Sequence, residues 1–224
     1  PVRKTPWISL PSACFPSRLQ KLTVLLVDSP YFLSEYNLRN QHGAHSMHNS
    51  RDVILCRYHY DPLDRVIGIS SSSDAISQRF YCKNRLTTEI QGSNPHSVFQ
   101  QGKWLLAQHW CQGNTFATTL LATDQQRSVL LSISARHVHP ITYSPYGHRH
   151  VDSSPLSLLG FNGERPDPET GHYLLGNGYR AFNPALMRFN SPDNLSPFGK
   201  GGLNPYTYCL GDPINSVDPT GHII

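Results

Sequence analysis

The chain has 224 residues, a formal net charge of +4 and only 15% charged residues. That length suffices for one or two domains with a real core. No apolar run reaches the roughly 18 residues of a membrane-spanning helix, and residues 47–224 hold no run of Lys and Arg. Neither a membrane span nor a nucleic-acid surface is therefore expected.

The basic excess is local. Residues 1–46 hold five Lys or Arg against two carboxylates, whereas residues 47–224 hold 14 against 13. Leu22–Val27 is one short apolar run behind Arg18 and Lys21. It is shorter than the ~7–15 residues of a signal-peptide core, so no clear signal peptide is read there. The first Met is Met47. Residues 1–46 are left unassigned, as non-native upstream sequence or a disordered segment, with Met47 as the expected native start.

From residue 53 the chain reads as short strands and turns. Val53–Tyr60 alternates two faces and ends at the Asp61-Pro62 turn. Arg65–Ile69, Gln78–Cys82, Leu86–Ile90, Val98–Gln101, Trp104–Trp110, Phe116–Ala122 and Val129–Ser134 continue the series. Gln91–Pro95, Gln101-Gly102, Gly113-Asn114 and Thr123-Asp124 punctuate it. Strands at ~8–12-residue spacing with no helical stripe predict an all-β class, an antiparallel meander of hairpins. An aromatic–turn–Arg–aliphatic unit recurs loosely at Tyr58–Val66, Arg79–Leu86 and Tyr143–Arg149, as a repeated hairpin would require.

Cysteine and histidine point to no metal or cofactor. Cys14, Cys56, Cys82, Cys111 and Cys209 include no CxxC pair and fit reduced, buried thiols. His137-Val-His139 and His148-Arg-His150 could each share a strand face, but no carboxylate or Cys joins them at useful spacing. They are read as polar surface pairs.

The composition shifts at Gly160. Residues 160–221 hold ten Gly and eight Pro among eight interleaved Phe and Tyr. Disorder explains Gly and Pro but not the aromatics, so a turn-rich, aromatic-packed region is predicted. Asp167-Pro-Glu-Thr-Gly171 and Asn177-Gly178 are turns within it.

Five pieces of this stretch carry a resemblance: Asp167–Gly171, Gly178–Pro184, Arg188–Asp193, Gly201–Tyr208 and Asp218–Gly221. Together they resemble the Rhs repeat-associated core of bacterial polymorphic toxins and of the C component of insecticidal Tc toxins. Tyr60, Asp61 and Arg65 resemble a YD repeat, with Asp64 where that family usually has Gly. The resemblance implies a β-shell segment, with YD-repeat-like hairpins over 47–150 and an irregular core over 151–224. It implies a shell that encloses and releases a C-terminal toxin passenger.

Other implied partners are further Rhs shell segments and a secretion-system or Tc-type B component. The implied location is the bacterial cytoplasm before export, then outside or on the cell surface. The family also implies an aspartic autoprotease that cuts after the DPxG motif. Two close carboxylates can divide the roles of base and acid. Carried onto this chain, the catalytic candidates are Asp193 and Asp218, with Asp212 as substitute for either and Arg188 to orient one carboxylate. Asp residues before turns also cap them by side-chain hydrogen bonds, so a capping role stays open for each. A third alternative is a binding module that uses an exposed aromatic face for carbohydrate or a cell surface.

Overall fold

The computed structural model describes residues 56–71, 76–149 and 157–222, together with the backbone of three short strands further upstream. Those are β1 (Leu10–Pro11), β2 (Val24–Leu26) and β3 (Asp52–Val53). Next come β4 (Cys56–Tyr60), β5 (Val66–Ser71), β6 (Ser77–Cys82) and β7 (Arg85–Gln91). They continue as β8 (Asn94–Gln101), β9 (Trp104–Gln112), β10 (Thr115–Thr123), β11 (Val129–Ile133) and β12 (Val138–Pro140). The last three are β13 (Tyr173–Leu175), β14 (Arg180–Asn183) and β15 (Arg188–Phe189). Among the described residues the only helical pieces are single 3₁₀ turns at Phe161–Gly163 and Cys209–Gly211. The all-β expectation holds.

Strands β4 to β12 lie side by side in chain order within one ten-stranded sheet, and β2 joins β4 in parallel at its end. Every other pairing in that sheet is antiparallel. The turns explain the order. Four hairpins close on two residues, and the first of each has positive φ: Lys83 (57°), Gly92 (61°), Gly102 (56°) and Gly113 (59°). Turns of this hand match the twist of the flanking strands.

The strands run further than the sequence pattern suggested. The turn expected over Gln91–Pro95 shrinks to Gly92-Ser93, and Pro95 pairs with Ile90 inside β8. Proline is tolerated there because it sits one residue from the strand's start. β12 was not expected; His139 pairs with Ser132 within it. The third repeat of the hairpin unit is absent: Tyr143–Arg149 is a turn, closed by a Ser144 N–H bond to the His148 carbonyl at 2.8 Å. Gly147 at φ 78° allows that turn but no strand follows it.

The YD-like hairpin is built around Asp61. Its Oδ1 accepts the backbone N–H groups of Leu63 (2.8 Å) and Arg65 (3.0 Å), and its Oδ2 accepts Arg65 Nε at 2.8 Å. Arg65 also donates Nη1 to the Lys83 carbonyl at 2.9 Å and so ties this turn to the next. Asp64 holds φ 56°, which is why glycine suits that position.

One sheet face is covered by residues 157–222. Leu86, Val98, Leu105, Leu121 and Val129 pack with Leu158 and Leu159, while Tyr58, Val66 and Ile69 pack with Leu174 and Ala181. Burying each Leu, Val or Ile contributes roughly 1.5–3 kcal/mol before chain entropy is set against it. A third cluster lies within the Gly- and Pro-rich region, where Phe182 stacks on Tyr208 at 4.1 Å and Phe189 meets both edge-on. The interleaved aromatics therefore form a core. Phe80, Phe99, Trp104 and Phe116 stay exposed.

The four described cysteines are free, but only Cys56 and Cys209 are buried. Cys82, beside the Lys83 turn, is exposed, because outward positions of a hairpin end meet solvent whatever their polarity. His137 and His139 lie with ring centroids 5.8 Å apart, and neither is buried. Cys14, His150 and the start expected at Met47 lie outside the described residues.

Candidate active site

The buried charges of the C-terminal region converge on Arg180, the first residue of β14, at 1% exposure. Its Nη2 donates to Asp193 Oδ2 at 3.1 Å and to the His222 carbonyl at 2.8 Å. Nη1 donates to the Pro205 carbonyl at 2.8 Å, and Nε to the Gly221 carbonyl. The guanidinium lies over the Phe189 ring, 3.6 Å from its centroid. Burial pushes Arg180 down from its ordinary value, against the attraction of Asp193, Asp218 and Tyr179.

Asp193, at 4% exposure, gathers more than the arginine. Its Oδ1 accepts the Leu195 N–H (3.0 Å) and the Tyr179 hydroxyl (3.3 Å), and lies 3.0 Å from His222 Nδ1. Tyr179 and His222 stack with ring centroids 4.0 Å apart. Burial raises the Asp193 carboxyl. The Leu195 N–H, His222 and Arg180 outweigh burial and hold it below the usual carboxylate range.

Asp218, at 1% exposure, heads the Asp218-Pro-Thr-Gly221 turn. Its Oδ1 accepts the Thr220 N–H (3.1 Å), the Thr220 hydroxyl (3.0 Å) and the His222 N–H (3.2 Å). Its buried Oδ2 has no hydrogen-bond partner among the described residues. The Asp167-Pro-Glu-Thr-Gly171 turn makes an informative contrast. Asp167 Oδ1 accepts the Thr170 N–H (2.8 Å) and hydroxyl (3.1 Å) in the same manner, but its Oδ2 accepts the buried Tyr58 hydroxyl. Both turns cap themselves, and one of the two leaves a carboxylate oxygen over.

The turn is fitted closely against β13. Gly176 holds φ +64°, and a Cβ built there would stand 2.2 Å from the Thr220 carbonyl oxygen. No side chain fits at that approach.

Arg180 bonds Asp193 directly, whereas Asp218 acts on it only through its charge. Arg188 does not orient either of them. It is exposed on β15 and bridges to Thr207, because neighbouring strand positions face opposite ways and Phe189 takes the inward one. Asp212 is exposed, and its carboxylate caps the following turn through Asn215 N (3.2 Å) and Nδ2 (3.0 Å). It stands on the surface, away from the buried cluster. Arg180, Tyr179 and His222 were missed as site residues. Arg180 and Tyr179 lie in the Gly178–Pro184 piece, where a charged residue beside Ala181 and Phe182 was the available signal.

Comparison with known proteins follows the same outline. The teneurin YD-shell family model matches residues 35–208. Toxin protein Tse5 of Pseudomonas aeruginosa is 45% identical over 67 residues, which is 30% of this chain and 5% of that protein. A Photorhabdus luminescens Tc holotoxin pore carrying a TccC3 mutation is similar in fold, with TM-score 0.56 at 20% identity over 75% of this chain and 9% of that one. A TcdB2–TccC3 crystal structure gives TM-score 0.56 at 19% identity over 83% of this chain and 9% of its own. The chain therefore spans a small part of each relative's length.

Proposed function

The chain belongs to the teneurin YD-shell family, and from that premise we propose that it is a segment of an Rhs-type toxin shell. Residues 47–150 supply wall hairpins and residues 151–224 supply the core that closes the wall. Its role is to help enclose a polypeptide that follows it in a longer chain, and to hold the exit of that polypeptide. Partners of the same class are other shell segments and a Tc-type B component.

One observation carries this reading. Arg180 donates to the carbonyls of both Gly221 and His222, so the chain leaving the core is clamped by a buried charge network. In a chain that carries the rest of the shell and a test polypeptide after Ile224, that polypeptide is expected to resist added protease. Arg180→Gln is expected to expose it. Equal digestion in both chains overturns the reading.

A second reading, cutting after the DPxG motif, is favoured by the spare Oδ2 of Asp218. A buried carboxylate oxygen with no partner is free to take a proton from water. Arg180 polarises the Gly221 and His222 carbonyls and stabilises charge that develops on either oxygen. The oxygen of that water adds to the carbonyl carbon; as the C–N bond breaks, the proton held by Asp218 passes to the departing amine, and Asp193 stays ionised beside Arg180. The test is fragment release from the same chain. Wild type is expected to cut and Asp218→Asn to stay whole. A folded wild type that never cuts removes this reading and leaves the shell reading standing.

A further inference from the structure

A cavity of about 680 Å³ opens between the sheet and the 159–177 segment. Six cationic side chains line it: Arg65, Arg79, Arg85, Lys103, Arg127 and Arg165; Glu164 is the one carboxylate among its lining residues. Asp61 pairs with Arg65, and Glu89 pairs with both Arg79 and Arg165. With those two counted in, cations still outnumber carboxylates six to three.

Two donors on this wall lack partners. Arg79, at 5% exposure, has a buried Nη2 with no hydrogen bond, although its Nε donates to Glu89 at 2.9 Å. Arg127 has a buried Nε without a partner, although its Nη2 donates to Gln100 at 2.8 Å. Arg85 and Lys103 form no salt bridge among the described residues. A buried N–H donor left without a partner is costly, and an anion in the cavity would satisfy both.

We propose that this cavity binds a small polyvalent phosphate, gripped by the guanidinium forks of Arg85 and Arg127 with Arg79 behind them and Lys103 at the rim. Arginine forks match tetrahedral and planar oxyanions through paired N–H bonds, and the volume suits a small ligand better than a folded chain. The proposal does not depend on the shell or the cutting reading.

The electrostatics agree with the geometry. Burial, then the like charge of Arg85, pushes the Arg127 guanidinium down, and Glu164 opposes them. Burial pushes the Glu164 carboxyl up to about 7, although Arg127, Arg79 and Arg85 pull it back. Tyr81 also faces this carboxylate from β6. Glu164 is therefore largely neutral below pH 7, where Arg85, Lys103 and Arg127 stand without a carboxylate. It competes with a bound anion above pH 7.

The test is calorimetric titration of the 224-residue chain with inorganic pyrophosphate. Saturable one-to-one binding is expected, with affinity at least about tenfold weaker in an Arg85→Gln/Lys103→Gln double variant. Both side chains lie outside the hydrophobic clusters. In Glu164→Gln, binding at pH 8 is expected to tighten several-fold over wild type, with the two converging at pH 6. Unfolding cannot mimic a gain in affinity, and comparison at equal pH cancels the ligand's own ionisation. No saturable binding at millimolar pyrophosphate, or equal affinity in wild type and double variant, overturns the proposal.

Discussion

Arg180 and Asp193 form an ion pair of 3.1 Å in which the side chains are 2% and 1% exposed. The pair joins β14 to the turn that follows β15, and Arg180 extends it to the backbone of Gly221 and His222. Removing one member leaves the other charged and without water. Arg180→Met is therefore expected to cost about 3–5 kcal/mol, read from urea unfolding. A cost below about 1 kcal/mol would mean that Asp193 finds other support.

Glu89 makes the acid limb of stability. Burial raises its carboxyl, but Arg165 and Arg79 overcome that and bring it down to about 2 from an ordinary 4.5. A lowered carboxyl stabilises the fold fully above its unfolded value and loses that contribution as pH falls toward the folded one. The loss is expected between about pH 5 and 2 and amounts to about 3 kcal/mol. Glu89→Gln should be less stable at pH 7 and flatter across that window. A wild-type curve that is already flat there would refute the assignment.

The DPTG turn tolerates no side chain at Gly176. Gly176→Ala places a methyl against the Thr220 carbonyl and demands φ +64° of an L-residue. Thermal unfolding is expected to show a loss of more than about 2 kcal/mol. A loss below about 1 kcal/mol would show that the Asp218 turn shifts to make room for the methyl.

Asp64 is the opposite case. It occupies a left-handed position with no hydrogen bond from its own side chain among those described. Asp64→Gly is expected to stabilise by up to about 1 kcal/mol, because relief of backbone strain exceeds the added freedom of the unfolded chain. A loss of stability would show that the Asp61 turn is not strained at this point.

Much of the wall was readable from the sequence. Alternation over Cys56–Tyr60 and the Gly-containing turns determine which side chains face inward, and these are local properties. The ends of β8 and β12 were not readable, because Pro95 and His139 join strands only through neighbours that supply the pairing. In the site, Asp193 and Asp218 could be named because each sits in a distinctive turn motif. Arg180 could not be separated from Arg188 by motif. Both lie in quoted pieces, and the choice depends on which strand face points into the Phe182–Tyr208 cluster. His222 enters through a contact across 29 positions, which no local pattern encodes.

The meander of β4 to β12 also bears on how such a wall can change length. From β5 to β12 each strand bonds only to the strands next to it in sequence, and four of the hairpins close on two-residue turns. Inserting or deleting one complete hairpin moves the chain by two strands, which preserves the direction of travel and the parity of inward and outward faces. A single strand would reverse both. The natural increment of growth for this sheet is thus a hairpin of about 20 residues, and the Arg180 network can stay unaltered while strands are added one hairpin at a time.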